Sequence, residues 1–156
     1  MFSNREITTI SYFTNGRPSY DKERRNAAFL FDMAYGRAVR RHIWAKLTGR
    51  KNELRSLSHY AIGKQMHRSA AVLSVPLDQI VGSESRTKDF DAEFNPLRQH
   101  NRERWAGLLA ALWSGIPLPP VELIQVGNEF FVRDGHHRIS IAKATGQLEI
   151  EARIVN

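Results

Sequence analysis

The stretch that decides the fold runs from an apolar segment through a charged turn into a helical pattern: Phe130-Phe131-Val132-Arg133-Asp134-Gly135-His136-His137-Arg138. The apolar segment predicts a buried strand, and the residues that follow Arg138 predict a helix that ends at Gly146. The turn therefore lies where a strand meets a helix N-terminus, which presents unpaired backbone N–H groups and the positive end of the helix dipole. Such a position favours anions, and phosphate is the usual one.

The residue types in this turn fit a phosphate or nucleotide site. Gly135 lets a phosphate oxygen approach the backbone, Arg138 can add a bidentate contact, and His136 and His137 can donate hydrogen bonds. The alternative is structural: Asp134 caps the helix, Gly135 makes the turn and Arg138 pairs with a local carboxylate. Taken together, the five residues favour the phosphate site.

The composition is that of a folded protein. Of the 156 residues, 42% are hydrophobic and 25% are charged. The chain has no cysteine, which excludes disulfides and thiolate catalysis. No apolar run reaches the roughly 18 residues of a membrane span, and the first residues lack the apolar segment of a signal peptide. We therefore expect a cytoplasmic protein with no membrane partner.

Positive charge is concentrated in the first half of the chain. The net charge is +7, and the segment from Arg17 to Arg68 has 13 basic residues against 4 acidic ones. From Ala71 onward there are 9 basic and 11 acidic residues. The basic excess suggests a polyanionic partner, with a solvated helix face as the alternative. The specific hypothesis is contact between the DNA backbone and three arginines, without base-specific reading: Arg37, Arg40 and Arg41.

Residues 1–70 are predicted to form a basic helical region, and residues 71–156 a separate domain. One helix is expected from Ser19 or Asp21 to Leu47, and a second from Asn52 to Arg68. They would form a helical hairpin whose apolar stripes are buried on each other, on the second domain or on a twin chain in a homodimer. Residues 1–16 fit either a short strand or a docking arm. The expected stripe of the first helix consists of Ala27, Leu30, Phe31, Ala34, Ala38 and Ile43.

From residue 71 onward, the predicted elements are strand, helix, strand, strand, helix and strand. The strands are expected at 75–81, 121–126, 129–133 and 149–155, and a two-residue turn at Gly127-Asn128 joins the middle pair. This order predicts an α+β domain with a mixed sheet. Its first helix is expected to begin at Asn95-Pro96 and to carry core residues at helical spacing: Trp105, Leu108, Leu109, Leu112 and Trp113.

The second half, over about residues 71–155, resembles the ParB/sulfiredoxin-like (ParB N-terminal domain) superfamily. Three segments carry the resemblance: Leu118-Pro119-Pro120-Val121, the Gly-x-x-Arg motif from Gly135 to Arg138, and the residues from Ala142 to Gly146. The resemblance implies a compact ParB/sulfiredoxin-like domain whose Gly-x-x-Arg loop holds the phosphates of CTP, ATP or ADP, with Mg²⁺ as a further candidate. In that superfamily ParB proteins hydrolyse CTP and clamp DNA, whereas free-serine kinases transfer phosphate. Sulfiredoxins use a cysteine where this chain has His136, so their reaction is excluded.

Three interpretations follow. The first is a regulatory nucleotide-binding module, with its phosphate site at Gly135, His136, His137 and Arg138 and with DNA contacts from the basic region. The alternative is a phosphotransferase or phosphohydrolase of the small-molecule kinase or nuclease type. In it, Asp134 or Glu84 would act as a general base or Mg²⁺ ligand, and His136 would stabilise the transferring group. A structural module without nucleotide chemistry is the third interpretation. No residues are assigned to a metal site built from the protein alone.

Overall fold

The computed structural model describes residues 18–60, 66–67 and 69–155. It is an α+β structure of helices packed on a mixed sheet. The helices are α1 (Pro18–Thr48), α2 (Leu57–Tyr60), α3 (Arg102–Trp113) and α4 (His136–Ala144), with 3₁₀ turns at Leu77–Gln79 and Gln99–Asn101. The strands are β1 (Arg55–Ser56), β2 (Met66–His67), β3 (Ser69–Pro76), β4 (Ile80–Ser83), β5 (Val121–Val126), β6 (Glu129–Asp134) and β7 (Glu149–Ile154).

The strands within the described ranges form one sheet in the order β1-β4-β6-β5-β7-β3, and β2 pairs with the far end of β5. The hairpin β5–β6 is antiparallel, while β4 runs parallel to β6 and β7 runs parallel to β5. Because β4 and β6 are parallel neighbours, their carboxyl ends, at Ser83 and Asp134, lie at the same edge of the sheet. This is the edge at which ligands commonly bind in parallel sheets.

Alternation along the strands divides the core between the two faces of the sheet. Leu123 and Val132 pack on one face with Ile139 of α4, whereas Ile124 and Phe131 pack with Leu57 of α2. A third cluster lies among three helices, where Phe31 of α1 meets Trp105 of α3 edge-on at 5.7 Å between ring centroids. The indole N–H of Trp105 then donates to Ser140 Oγ of α4 at 3.0 Å. The long basic helix therefore packs on α3, and α3 connects it to α4, which lies on the sheet.

Several expectations are confirmed. The α+β class, the hairpin turn at 127–128, the helix after Gly135 and the last strand are all present. The long helix, expected to begin at Ser19 or Asp21, begins at Pro18, a residue that suits the first turn of a helix. Its predicted core stripe is buried at Ala27, Phe31, Ala34 and Ala38.

The predicted helical hairpin is wrong in the part that the structure describes. Residues 55–56 pair in parallel with β4 and residues 66–67 pair with β5, so between Asn52 and Tyr60 only α2 is helical. Residues 61–65 and 68 lie outside the described residues, as do residues 1–17. Strands from both sides of residue 70 contribute to one sheet.

Smaller corrections have local causes. The predicted strand at 75–81 is two strands, since a 3₁₀ turn follows Pro76. The helix expected at Asn95 begins at Arg102, after a turn in which the buried Asp91 carboxylate accepts from the Glu93 and Asn95 N–H groups. Ile43 and Trp113, both expected in the core, are 54% and 41% exposed. None of the described helices is both long enough and apolar enough to span a bilayer.

Candidate functional site

The strand-to-helix junction is built around the backbone of Gly135. Its φ is +103°, in the left-handed region, and a Cβ there would lie 2.5 Å from Val121 Cγ1. Glycine is therefore required both by conformation and by space. The turn is tight enough for α4 to begin at the next residue, and its first backbone hydrogen bond runs from the Ile139 N–H to the Gly135 carbonyl at 3.0 Å. The backbone N–H groups in the first turn of α4 have no intrahelical carbonyl to which they could donate.

Arg138 ties this junction to the chain that precedes β5. Its side chain is 6% exposed. One guanidinium nitrogen, Nη1, donates to the carbonyls of Pro119 and, at 2.8 Å, of Pro120, and Nη2 donates to the Asp134 carboxylate at 2.7 Å. The described geometry thus gives Arg138 and Asp134 a structural role, which was the alternative interpretation of the motif. Contact between Arg138 and a phosphate stays a prediction.

His136 is held by Ser83, the last residue of β4. Ser83 Oγ accepts the backbone N–H groups of Ser85 at 3.2 Å and Arg86 at 2.9 Å, and it lies 2.7 Å from His136 Nε2. The same hydroxyl lies 3.5 Å from the Val132 carbonyl, so its proton has two acceptors within reach, that carbonyl and His136 Nε2. Burial lowers the pKa of His136 to about 4, and the positive charge of Arg86 acts in the same direction. The ring is therefore neutral at pH 7.

His137 is buried without a hydrogen-bond partner. Its side chain is 6% exposed, and neither ring nitrogen has a partner among the described residues. The ring meets Phe90 edge-on at 5.5 Å between centroids. Burial lowers its pKa to about 3, with further lowering from Arg104 and Arg86. A buried polar group without a partner is costly, so this ring indicates a hydrogen-bonding group that the described residues do not supply.

A pocket of about 230 Å³ opens at the N-terminus of α4. Arg104, on α3, also lines it, and its buried Nε has no partner among the described residues. We call this site the α4 pocket. The residues that define it are Arg86, Arg104, Gly135, His136, His137 and Arg138, with Arg133 and Asp134 also in its wall. Unsatisfied donors, guanidinium groups and a helix N-terminus together favour an oxyanion.

Arg104, Arg86 and Ser83 also belong to this site, and none of them was assigned to it from the sequence. Arg104 is the third residue of α3, a helix whose pattern indicates only a core face, and nothing local marks it as a ligand-binding residue. It reaches the pocket because α3 packs beside α4. The signal for Arg86 was its place in the loop after a strand, since loops at strand ends often carry functional groups.

Glu84 is engaged in an ion pair at the wall of the pocket. Its carboxylate oxygens lie 3.1 Å from Arg133 Nε and 3.3 Å from Arg133 Nη2. Asp134 is paired with Arg138, so the two carboxylates proposed as general base or Mg²⁺ ligand both face guanidinium groups. This donor set does not fit Mg²⁺. Among the described residues no group of three potential ligands forms a metal site. Catalytic roles for Asp134, His136 and Glu84 stay predictions.

The three arginines predicted to contact DNA lie on α1, away from the α4 pocket. Arg37 and Arg41 line a cavity of about 860 Å³ at the other end of α4, and Arg40 and Arg41 line an adjoining cavity of about 440 Å³. Arg41 is shared by both cavities and lies 3.9 Å from the Asp91 carboxylate. The arginines therefore face two neighbouring concave surfaces.

No protein-family model, curated protein or solved structure matches this chain. The resemblance to the ParB/sulfiredoxin-like superfamily consequently stays a prediction that rests on the motif residues.

Proposed function

We propose that this protein is a phosphate-binding module whose α4 pocket holds the phosphate part of a nucleotide. The observation that carries the proposal is a pair of buried groups in one pocket, Arg104 Nε and the His137 ring, which have no partner among residues 18–60, 66–67 and 69–155. A phosphate oxygen accepts from both and also from the first-turn amides of α4. The resemblance to ParB/sulfiredoxin-like proteins supports a nucleotide, with CTP, ATP and ADP as the candidates.

The size of the pocket supports a partial enclosure of the ligand. Its volume of about 230 Å³ is below the roughly 300–1,000 Å³ of pockets that enclose whole small molecules. Phosphate groups would therefore be inside, and the ribose and base would extend toward the surface. Recognition of the base then depends on residues beyond the pocket wall.

Binding is favoured over phosphoryl transfer. A general base needs a carboxylate directed at the attacking group, but Asp134 and Glu84 are paired with Arg138 and Arg133. The lowered pKa of His136 keeps that ring neutral at pH 7, so it can donate a hydrogen bond but carries no charge. A regulatory module, in which nucleotide binding changes a surface used by a partner, accords best with this arrangement.

The other parts of the proposal rest on charge and composition. The basic excess of α1 supports a nucleic-acid partner, and the lack of cysteine accords with a cytoplasmic location.

A homodimer is proposed on the apolar side chains that α1 leaves exposed, Phe29, Met33, Ile43 and Leu47.

A thermal-shift titration tests the phosphate site. Inorganic phosphate, pyrophosphate, ADP, ATP and CTP would each be added with and without Mg²⁺. A ligand at 100-fold its Kd should stabilise the fold by about 2.7 kcal/mol. Replacing Arg104 by Ala removes a charge-assisted hydrogen bond, so we expect roughly 10- to 100-fold weaker binding.

Arg153→Ala is the matched control, because Arg153 is exposed on β7 and lies outside the pocket wall. It should leave every titration unchanged. Absence of a shift with all five ligands, or an equal shift in the wild type and Arg104→Ala, would refute the proposed site.

A further inference from the structure

A second concave site lies where α1 ends and the chain turns back. The Thr48 hydroxyl donates to the Trp44 carbonyl at 2.9 Å, and the Arg50 N–H donates to the Ala45 carbonyl at 2.9 Å. Gly49 between them has a φ of +67°, which is typical of a residue that ends a helix. This cap folds residues 50–52 back beside the last turns of α1. The resulting cavity of about 440 Å³ is here called the Trp44 cavity.

The Trp44 cavity is strongly cationic. Four basic residues line it, Arg40, Arg41, Arg50 and Lys51, against one carboxylate, that of Glu93. Of the four, Arg41 lies 3.9 Å from the Asp91 carboxylate, and the other three make no ion pair within the described residues. The adjoining 860 Å³ cavity differs, because Glu53, Asp78, Glu93 and Glu149 balance its basic residues. Polyanion binding is therefore favoured at the Trp44 cavity specifically.

Two further groups indicate the kind of polyanion. Trp44 is 63% exposed although it is the largest apolar side chain type, and it lines the cavity one helical turn after Arg40. The Asn52 side-chain nitrogen is buried at the cavity wall and has no partner among the described residues. An aromatic face, a free amide donor and flanking cations match an unpaired nucleotide, which presents a base to stack, a base edge that accepts hydrogen bonds and phosphates on either side.

We infer that the Trp44 cavity binds single-stranded nucleic acid, with a base stacked on Trp44 and the flanking phosphates held by Arg40, Arg50 and Lys51. The Asn52 amide donates to the base edge. A duplex is disfavoured, because its bases are already stacked within the helix and offer no face to Trp44. The site is separate from the α4 pocket, so this inference does not depend on the proposed phosphate site. It specifies that the nucleic acid proposed to bind α1 is single-stranded.

Fluorescence anisotropy with a labelled oligonucleotide of about 12 nucleotides, a length within known site sizes, tests the inference. The same sequence would be compared as single strand and as duplex at about 50 mM and about 200 mM salt. We expect tighter binding to the single strand. Trp44→Ala should weaken that binding by roughly 5- to 100-fold, because it removes one stacked base, whereas Trp44→Phe should retain most of it.

Matched variants separate stacking from general charge effects. Trp113→Ala removes another exposed tryptophan and should not change the affinity. Lys51→Ala should reduce the salt slope by about 0.7, the value for one phosphate contact in a single strand. Arg25→Ala, at the other end of α1, should leave the slope unchanged. Arg104→Ala should leave oligonucleotide binding unchanged even where it weakens phosphate binding, which keeps the two proposals distinguishable.

Three outcomes would overturn the inference. They are equal or tighter binding of the duplex, an unchanged affinity in Trp44→Ala, and the absence of oligonucleotide binding altogether. A homodimer in light scattering that dissociates in Trp44→Ala, without oligonucleotide binding, would assign this surface to a protein interface instead.

Discussion

Position 135 accepts no residue but glycine without a local rearrangement. With φ at +103° and Val121 Cγ1 2.5 Å from the place of a Cβ, Gly135→Ala suffers both backbone strain and overpacking. We expect the free energy of unfolding, measured in urea, to fall by about 2–4 kcal/mol. Gly107→Ala is the control, since a Cβ there meets nothing within 4 Å and the residue is in the interior of α3. That change should stabilise the protein by about 0.5–1 kcal/mol.

The two buried histidines make stability depend on pH. Their pKa values in the folded protein, about 4 for His136 and about 3 for His137, lie below the ordinary value of 6.5. The unfolded chain therefore binds more protons between pH 6.5 and pH 4, and stability falls as the pH is lowered through that range. At pH 5 each histidine should lower the free energy of unfolding by about 2 kcal/mol relative to its value at pH 7.

Substitution of His137 by leucine separates its contribution. The change removes two ring nitrogens that have no partner in the described part of the chain, so stability at pH 7 should be equal to or greater than that of the wild type. The loss of stability on going to pH 5 should shrink by about 2 kcal/mol. Urea denaturation at both pH values measures this. An unchanged pH dependence would mean that His137 has a hydrogen-bond partner or is open to water.

Single residues also show where sequence reasoning stops. The glycine turn and the two histidines could be predicted, because a strand pattern and a helix pattern meet there within a few residues. The pairing of Arg138 with the carbonyls of Pro119 and Pro120 could not, since it joins segments about twenty residues apart. Arg104 and Ser83 reach the site only through helix packing and parallel pairing of strands, which leave no local pattern.

Among the elements, those that carry their own periodicity were predictable. The helix around Trp105 and the hairpin at Gly127 follow from spacing and turn chemistry that act over a few residues. The strands β1 and β2 have two residues each, too few to show an alternation. Arg55 and Ser56 are extended because they pair with Gly82 and Ser83, so tertiary pairing overrides the helical pattern there.

The role of α1 as a core element can be tested on its two phenylalanines. Phe31 is fully buried against Trp105, and Phe29, on the same helix, is 64% exposed. Phe31→Ala should lower the free energy of unfolding by about 3–5 kcal/mol, whereas Phe29→Ala should change the free energy of unfolding of the monomer by less than about 0.5 kcal/mol. Urea denaturation of both variants provides the comparison. Equal, small effects would show that α1 contributes little to the core.

At the scale of the whole molecule, α1 and the sheet are linked by several kinds of contact. The Trp105 indole joins α3 to α4, and the Arg102 guanidinium donates twice to the Asp32 carboxylate of α1, at 2.8 Å each. Strand β1, which follows α1, enters the sheet beside β4. Removal of α1 would expose Trp105 and the apolar face of α3, so the helix and the sheet should stabilise each other.

We therefore expect the described parts of the chain to unfold in one cooperative transition. Far-UV circular dichroism reports chiefly on α1, the longest described helix with 31 residues, and tryptophan fluorescence includes Trp105 at the junction of three helices. If the core is shared, urea curves followed by the two signals have the same midpoint and the same slope. Phe31→Ala should move both midpoints together. A loss of helical signal that precedes the fluorescence change would instead indicate that α1 unfolds separately, as two domains divided near residue 70 would.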